Sequence, residues 1–180
     1  MRQHPLARGG GRGAMETRAN GPIDWRVLSM LLPERGGRYA PPMANEALVA
    51  SVKQILTLFR ERKEAEGYAA YTKLFTSPEF ATYAPQDQRQ ALKLMISLKV
   101  IPSSLSPHLV GGYRTGMAPL KALIDAHDDP HDYELYGICQ IVTGDEKGAA
   151  ETFRKALNME RARNPQSDLC GSLMKWVAAV

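Results

Sequence analysis

Cysteine is scarce in this sequence: only Cys139 and Cys170 occur among 180 residues, and both fall in segments with helical patterning. Two thiols exclude the disulfide framework of small secreted domains, so buried reduced thiols are the simplest interpretation. Long apolar runs are also missing, since no stretch approaches the ~18 residues that suggest a membrane span. Residues 1–15 lack the continuous apolar segment that a secretory signal contains. We therefore expect a cytoplasmic protein that does not bind a membrane.

Most of the chain carries no excess of positive or negative charge. Residues 1–42 hold seven Arg, no Lys and three acidic side chains, which accounts for the whole net charge of +4. The remaining 16 basic and 16 acidic side chains, all in residues 43–180, cancel. Nucleic-acid binders usually carry a basic face, so residues 43–180 have no electrostatic signature of nucleic-acid binding.

Residues 1–42 differ from the rest in composition, because they are rich in Gly, Arg and Pro. Such a segment buries too little apolar area to offset an ordering entropy of ~1–2 kcal/mol per residue. Three interpretations remain open. The segment is translated upstream sequence and the protein starts at Met43, or it is a disordered tail, or it is an RGG-like tail that binds RNA.

From residue 43 onward the apolar residues recur with the three-to-four spacing of amphipathic helices, and no stretch alternates convincingly with period two. We therefore predict an all-α domain over 43–180, without a sheet, whose tyrosines and methionines lie in the core. The predicted helices cover residues 44–60, 63–76, 86–99, 107–127, 131–143, 147–163 and 168–178.

The helix predicted over 107–127 contains Pro119 in its interior. Apolar residues keep one phase on both sides of this proline, which predicts a single kinked helix rather than two helices. Ser106 and Pro107 have the residue types of an N-cap and a first helical position, so they predict where this helix begins. Ser167 is predicted to cap the last helix in the same way.

The turn between the helices predicted at 131–143 and 147–163 is short, with the sequence TGDE. Gly144 can adopt a positive φ at no steric cost, and Asp145 can cap the helix that follows. A connection this short places the two helices side by side and antiparallel.

Small residues on these two helices predict where the backbones approach. Gly137 costs ~1 kcal/mol of helix propensity relative to alanine, so a close helix contact is the simplest reason for it. We predict that Gly137 and Ala149 permit this contact, that Tyr133 and Phe153 fill the space on either side, and that Ala156 faces the next helix.

This spacing resembles the tetratricopeptide repeat. The matching positions in the one clear repeat, residues 131–164, are Tyr133, Gly137, Gly144-Asp145, Ala149, Phe153 and Ala156-Leu157. The sequence departs from the repeat at Gln140, where an apolar or aromatic residue is usual. It departs again at Arg161, where a helix-ending proline is usual, so we expect this helix to continue to Asn164-Pro165.

The resemblance implies an α-solenoid, because one repeat cannot bury its own faces and about three are needed for stability. Residues 44–76 and 86–127 fit the repeat only as degenerate helix pairs. The implied fold has about three antiparallel helix pairs, with the helix at 168–178 as a C-terminal cap.

The resemblance also implies a binding function. In such a stack the first helix of each pair lines a concave surface, where this family usually holds a peptide or a helix of a partner. The leading hypothesis is a non-enzymatic scaffold or adaptor, with no cofactor, that binds a protein or peptide. The polar residues that would lie on this surface are Lys53, Arg89, Lys93, Glu134 and Gln140.

A narrower alternative comes from the C-terminal part of the chain. The sequence from Tyr136 to Pro165, followed by LCGSLMKWV, looks like the last repeat and cap of the translocator chaperones of type III secretion. Those are small three-repeat cytoplasmic proteins that hold an unfolded client. Residues 43–130 do not resemble them well.

The segment HDDPHD at 127–132 has the residue types of a metal site. A loop that ends one helix and starts the next accounts for the same residues, and Pro130 in a flexible turn does not define a ligand geometry. No nucleophile lies at an arguable spacing from a base, and Cys139 is expected to be a small buried residue. We therefore predict neither a metal nor a catalytic site.

Overall fold

The structure is a computed structural model that describes residues 45–96 and 104–180. Within these two ranges it contains seven α-helices, one short 3-10 helix at Phe80–Thr82 and no strand, which confirms the all-α prediction for them. The helices are α1 (Glu46–Arg60), α2 (Glu64–Phe75), α3 (Pro85–Met95), α4 (Pro107–His127), α5 (Pro130–Val142), α6 (Glu146–Arg163) and α7 (Asp168–Ala179).

Some predictions concern residues that lie outside these ranges. They include all interpretations of residues 1–42, with the start at Met43 and the RNA-binding tail, and residues 97–99 of the third predicted helix.

Side-chain caps explain where five of these helices begin. In each case the oxygen of the N-cap side chain accepts a hydrogen bond from a backbone N–H in the first turn, which otherwise has no partner inside the helix. The caps are Asn45, Ser106, Asp129, Asp145 and Ser167. The predicted caps at 106, 145 and 167 are thus confirmed, as is the positive φ of Gly144, at 91°.

Helix α3 ends earlier than predicted. Its last residue is Met95, and Ile96 leaves the helical region with ψ of 63°. The hydroxyl of Tyr113 on α4 donates a hydrogen bond of 3.3 Å to the Met95 carbonyl. A tertiary contact therefore supplies a donor at this helix end, which the local apolar pattern could not indicate.

Helix α4 is continuous across Pro119, as predicted. Proline has no N–H, so the carbonyl of Thr115 loses its usual helical donor. The Thr115 hydroxyl donates to the Gly112 carbonyl at 2.7 Å and lies 3.4 Å from the Thr72 hydroxyl on α2. Helix α4 therefore continues through Pro119 without this backbone hydrogen bond, and it packs against α2.

The helices pack mainly on their neighbours along the chain. Helix α1 packs on α2, α2 and α3 on α4, α4 on α5, α5 on α6 and α6 on α7, with a smaller contact between α3 and α5. The predicted adjacency of the two helices joined by Gly144 is confirmed. The two helices are antiparallel, because Tyr133 near the start of α5 contacts Lys155, whereas Gln140 near its end contacts Thr152, which is earlier in α6.

Gly137 lies where a side chain could not fit. A Cβ at this position would come within 2.6 Å of the ring of Phe153 on α6, closer than real Cβ contacts. A close contact at Gly137 is therefore present, but the ring of Phe153 provides its nearest atoms, rather than the helix backbone at Ala149 as predicted. Phe153 in turn stacks on Trp176 of α7, with ring centroids 5.6 Å apart and planes 9° from parallel.

The same arrangement of a ring on a glycine recurs twice. A Cβ at Gly67 would come within 2.6 Å of the Phe59 ring, and a Cβ at Gly112 within 2.6 Å of the Tyr68 ring. These contacts join α1 to α2 and α2 to α4. Glycine therefore allows close helix contacts in both described ranges.

Tyr71 carries a buried hydroxyl with no hydrogen-bond partner among the described residues, in a cluster with Phe59 and Phe75. An unsatisfied buried polar group costs about 1–3 kcal/mol. We expect Tyr71→Phe to raise the free energy of unfolding by about 1 kcal/mol in urea titrations, because it removes only that hydroxyl.

Tyr113→Phe is the matched control, since the Tyr113 hydroxyl is bonded to the Met95 carbonyl. This variant should lose about 1 kcal/mol. Equal losses in the two variants would show that the Tyr71 hydroxyl has a partner after all.

Candidate functional site

The five side chains predicted to contact a partner lie on α1, α3 and α5, and they have different environments. Lys53 on α1 and Lys93 on α3 are exposed. Arg89, Glu134 and Gln140 are wholly or partly buried, and each forms a side-chain hydrogen bond to another part of the chain. The structure therefore separates two exposed cations from three side chains that connect helices.

Arg89 forms an ion pair with Asp132 of α5. Its Nε and Nη2 both donate to the carboxylate at 2.8 Å, and the Asp132 side chain is 0% exposed while that of Arg89 is 24% exposed. These hydrogen bonds raise the pKa of the Arg89 guanidinium. A buried carboxylate needs such a partner, because the cost of desolvating it is large. Arg89 thus neutralises Asp132 and joins α3 to α5.

Glu134 joins α5 to the last helix. Its carboxylate accepts a hydrogen bond from the hydroxyl of Ser172 on α7, and both residues are half-buried. Together with the pair between Arg89 and Asp132, this contact ties α5 to α3 on one side and to α7 on the other.

Gln140 explains one departure from the repeat pattern. Its side chain is only 7% exposed, its Nε2 donates to Asp145 at 2.9 Å, and its Oε1 accepts from the Thr152 hydroxyl at 2.7 Å. The amide therefore links α5, the turn after Gly144 and α6. An amide that bridges a turn in this way suits a buried position that is usually apolar.

Helix α5 has little free surface. Ten of its thirteen residues are buried, because α4, α6 and α3 pack around it and Ser172 of α7 reaches Glu134. The only exposed side chain of α5 is that of His131, in its first turn, so the other exposed polar side chains on the first helices of the predicted pairs come from α1 and α3. On α3 they form one stripe at helical spacing, Gln86, Gln90 and Lys93, of which Gln90 is half-buried.

The acidic residues of HDDPHD have separate structural roles. Asp128 is the C-cap of α4 with φ of 48°, Asp129 is the N-cap of α5, and Asp132 is paired with Arg89. His131 contacts Asp129, with 3.0 Å between Nδ1 and Oδ1. Across the ranges 45–96 and 104–180, no group of three or more His, Cys, Asp or Glu side chains is placed to hold a metal ion.

Tyr133 is part of a second polar contact at the start of α5. Its hydroxyl donates to Asp128, and the ammonium group of Lys155 on α6 donates to the same hydroxyl and lies 4.4 Å from the ring centroid. The hydrogen bond to Tyr133 raises the pKa of Lys155. The predicted aromatic beside Gly137 thus also anchors α6 through its polar end.

Both cysteines are free and buried. Burial raises the pKa of the Cys139 thiol, so the thiol stays protonated at neutral pH. Because the thiolate is the nucleophilic form, this environment gives Cys139 the properties of a small buried side chain.

Among the helices of the described ranges, none combines the length and the apolar content needed to cross a membrane. Comparisons with protein-family models, curated proteins and solved structures gave no match. The likeness to the tetratricopeptide repeat therefore depends on the residues and contacts described above.

Proposed function

We propose that this protein is a non-enzymatic scaffold or adaptor, similar to tetratricopeptide-repeat proteins, that binds a segment of another protein. In this proposal α1 with α2, α3 with α4 and α5 with α6 are three helix pairs of an α-solenoid, and α7 is the cap. A chaperone-like client and a stable partner both fit this function, since both present a peptide segment.

The observation that carries the proposal is the lateral connection of first helices. The ion pair between Arg89 and Asp132 joins α3 to α5, and the hydrogen bond between Glu134 and Ser172 joins α5 to α7. In a solenoid of helix pairs, first helices that lie side by side form one continuous surface. This arrangement supports a row of α3, α5 and α7 along one side of the domain.

The exposed stripe of α3 offers the chemistry for the partner contact. Gln86, Gln90 and Lys93 present amide and ammonium groups, and the only acidic side chain on α3, Asp87, is buried. Lys53 adds a second exposed cation on α1. Such a surface favours a segment with backbone carbonyls and carboxylates over a basic one.

A comparative capture experiment tests this assignment. The full chain and its Lys53→Glu and Lys93→Glu variants would be used to capture proteins from extract of the native cells, followed by quantitative mass spectrometry. We expect wild type to enrich a defined partner and Lys93→Glu to reduce its recovery about tenfold, because like charges now face each other.

Lys147→Glu is the matched control, since Lys147 is an exposed lysine on α6, the second helix of its proposed pair. It should capture as much partner as wild type does. Equal recovery with all three variants would contradict the proposed surface, and failure of wild type to enrich any protein would contradict the scaffold function.

A further inference from the structure

The outer face of α7 differs from the rest of the described surface. Met174, at 46% exposed, and Val180, at 38%, are the only large hydrophobic residues exposed within the described ranges. Met174 thus contradicts the expectation that the methionines lie in the core. A single exposed hydrophobic residue is ordinary, so the question is what surrounds this one.

Met174 lies beside two small residues on the outer face of α7. Gly171 and Ala178 lie seven positions apart on the face opposite Leu169, Leu173 and Trp176, which are buried. No described atom lies within 4 Å of where a Cβ of Gly171 would be. Gly67, Gly112 and Gly137 each receive an aromatic ring, whereas Gly171 costs ~1 kcal/mol of helix propensity without a contact inside the described structure.

The first and last described helices, α1 and α7, also differ in their exposed residues. The exposed residues of α1 are Glu46, Ala47, Ala50, Lys53, Gln54, Thr57 and Arg60, and none of them is a large hydrophobic residue. On α7 the outer stripe is Gly171, Lys175 and Ala178, flanked by Asp168 and Met174, and of these only Gly171 is half-buried. The outer face of α7 therefore differs from that of α1 in one respect, the exposed large hydrophobic side chain of Met174.

Two charged residues on this face of α7 are placed so that they can pair with the same residues of a second copy of the chain. Asp168 and Lys175 are exposed, and neither forms an ion pair with a described residue. If two α7 helices pack antiparallel about a twofold axis between positions 171 and 172, Asp168 of each copy lies opposite Lys175 of the other. The glycines then lie beside the axis, where two backbones approach most closely.

From this geometry we propose that the occupant of the stripe is a second copy of this chain, bound through an antiparallel α7–α7 contact. A helix of twelve residues is about 18 Å long. One such face buries less than the ~1,200 Å² of a stable interface, so we expect the dimer to be weak. This inference is independent of the scaffold function.

Sedimentation velocity of the full chain tests the dimer, from about 5 to about 500 µM, because a weak dimer forms only at the upper end of such a range. Gly171→Leu places a side chain at the axis and should weaken dimerisation at least tenfold. Gly111→Leu on α4 is the matched control, because Gly111 is exposed and also has no described atom within 4 Å of a Cβ. The control should dimerise as wild type does.

Charge exchange tests the register. Asp168→Lys and Lys175→Asp should each weaken the dimer about tenfold, and the double variant should restore it, because both opposing pairs are re-formed. A strictly monomeric wild type overturns the proposal and assigns the stripe to solvent or to a different protein. A dimer that Gly171→Leu leaves unchanged, or that the double variant fails to restore, also overturns it.

Discussion

Phe153→Ala is expected to lower the free energy of unfolding by about 3–5 kcal/mol, the usual cost of truncating a fully buried phenylalanine. Phe153 is 0% exposed, its ring covers Gly137 on α5, and the same ring stacks on that of Trp176 on α7. The substitution therefore opens a cavity at the junction of three helices. Urea titrations followed by circular dichroism measure the loss.

Two controls distinguish this effect from a general weakening of α6. Arg154→Ala changes the next residue, which is exposed, and should stay within about 0.5 kcal/mol of wild type. In a Trp25→Phe background the fluorescence of Trp176 reports its surroundings, and Phe153→Ala should shift the emission to longer wavelength. An unchanged thermal midpoint in Phe153→Ala would contradict the packing of α5, α6 and α7.

Arg89→Met is expected to cost about 3–5 kcal/mol, because it leaves the Asp132 carboxylate buried without its partner. Methionine retains much of the aliphatic stem and removes only the charge and the hydrogen-bond donors. The side chain of Asp132 is 0% exposed, so water cannot replace the guanidinium without local rearrangement. Chemical denaturation of the purified variant measures this loss.

The double variant Arg89→Met/Asp132→Leu separates the charge from the packing. It should recover most of the lost stability, since replacing a whole buried ion pair by apolar side chains is often neutral. Lys93→Met, one turn along the same helix and exposed, should stay within about 0.5 kcal/mol of wild type. A loss below about 1 kcal/mol in Arg89→Met would mean that Asp132 has another source of compensation.

Local signals in the sequence were sufficient for much of the fold. Residues that cap helices, such as Ser106 and Asp145, and the spacing of apolar residues act within one or two turns, so the helices begin and end close to where they were predicted. The contact at Gly137 was also predictable, because a glycine inside a helix weakens that helix unless a neighbour packs closely against it. Arg161 does not end α6, and this helix continues to Arg163 with Asn164 as its C-cap, as expected.

Contacts between distant residues could not be predicted in the same way. Arg89 and Asp132 are 43 positions apart, and each has an ordinary local interpretation, one as a surface cation and the other as part of a loop. The end of α3 has a contact of the same kind, from the Tyr113 hydroxyl to the Met95 carbonyl 18 positions earlier. In both cases the partner determines the role, and no periodic pattern encodes the partner.

The candidate surface was harder to predict than the fold for a related reason. Glu134 and Gln140 are polar residues on a helix, and polarity alone favours an exposed position. The structure instead uses both to connect helices, because α5 is enclosed by α3, α4 and α6. Lys93 has no such role, and it remains the most direct position at which to test partner binding.

The packing of the last four helices on their neighbours along the chain has a kinetic consequence. Contacts among α4, α5, α6 and α7 connect residues that are close along the chain. The chain therefore loses little conformational entropy when these contacts form. Helical domains with such local contacts fold in microseconds to milliseconds. The pair between Arg89 and Asp132 spans a longer segment, so it should form after α5 and α6 have already joined.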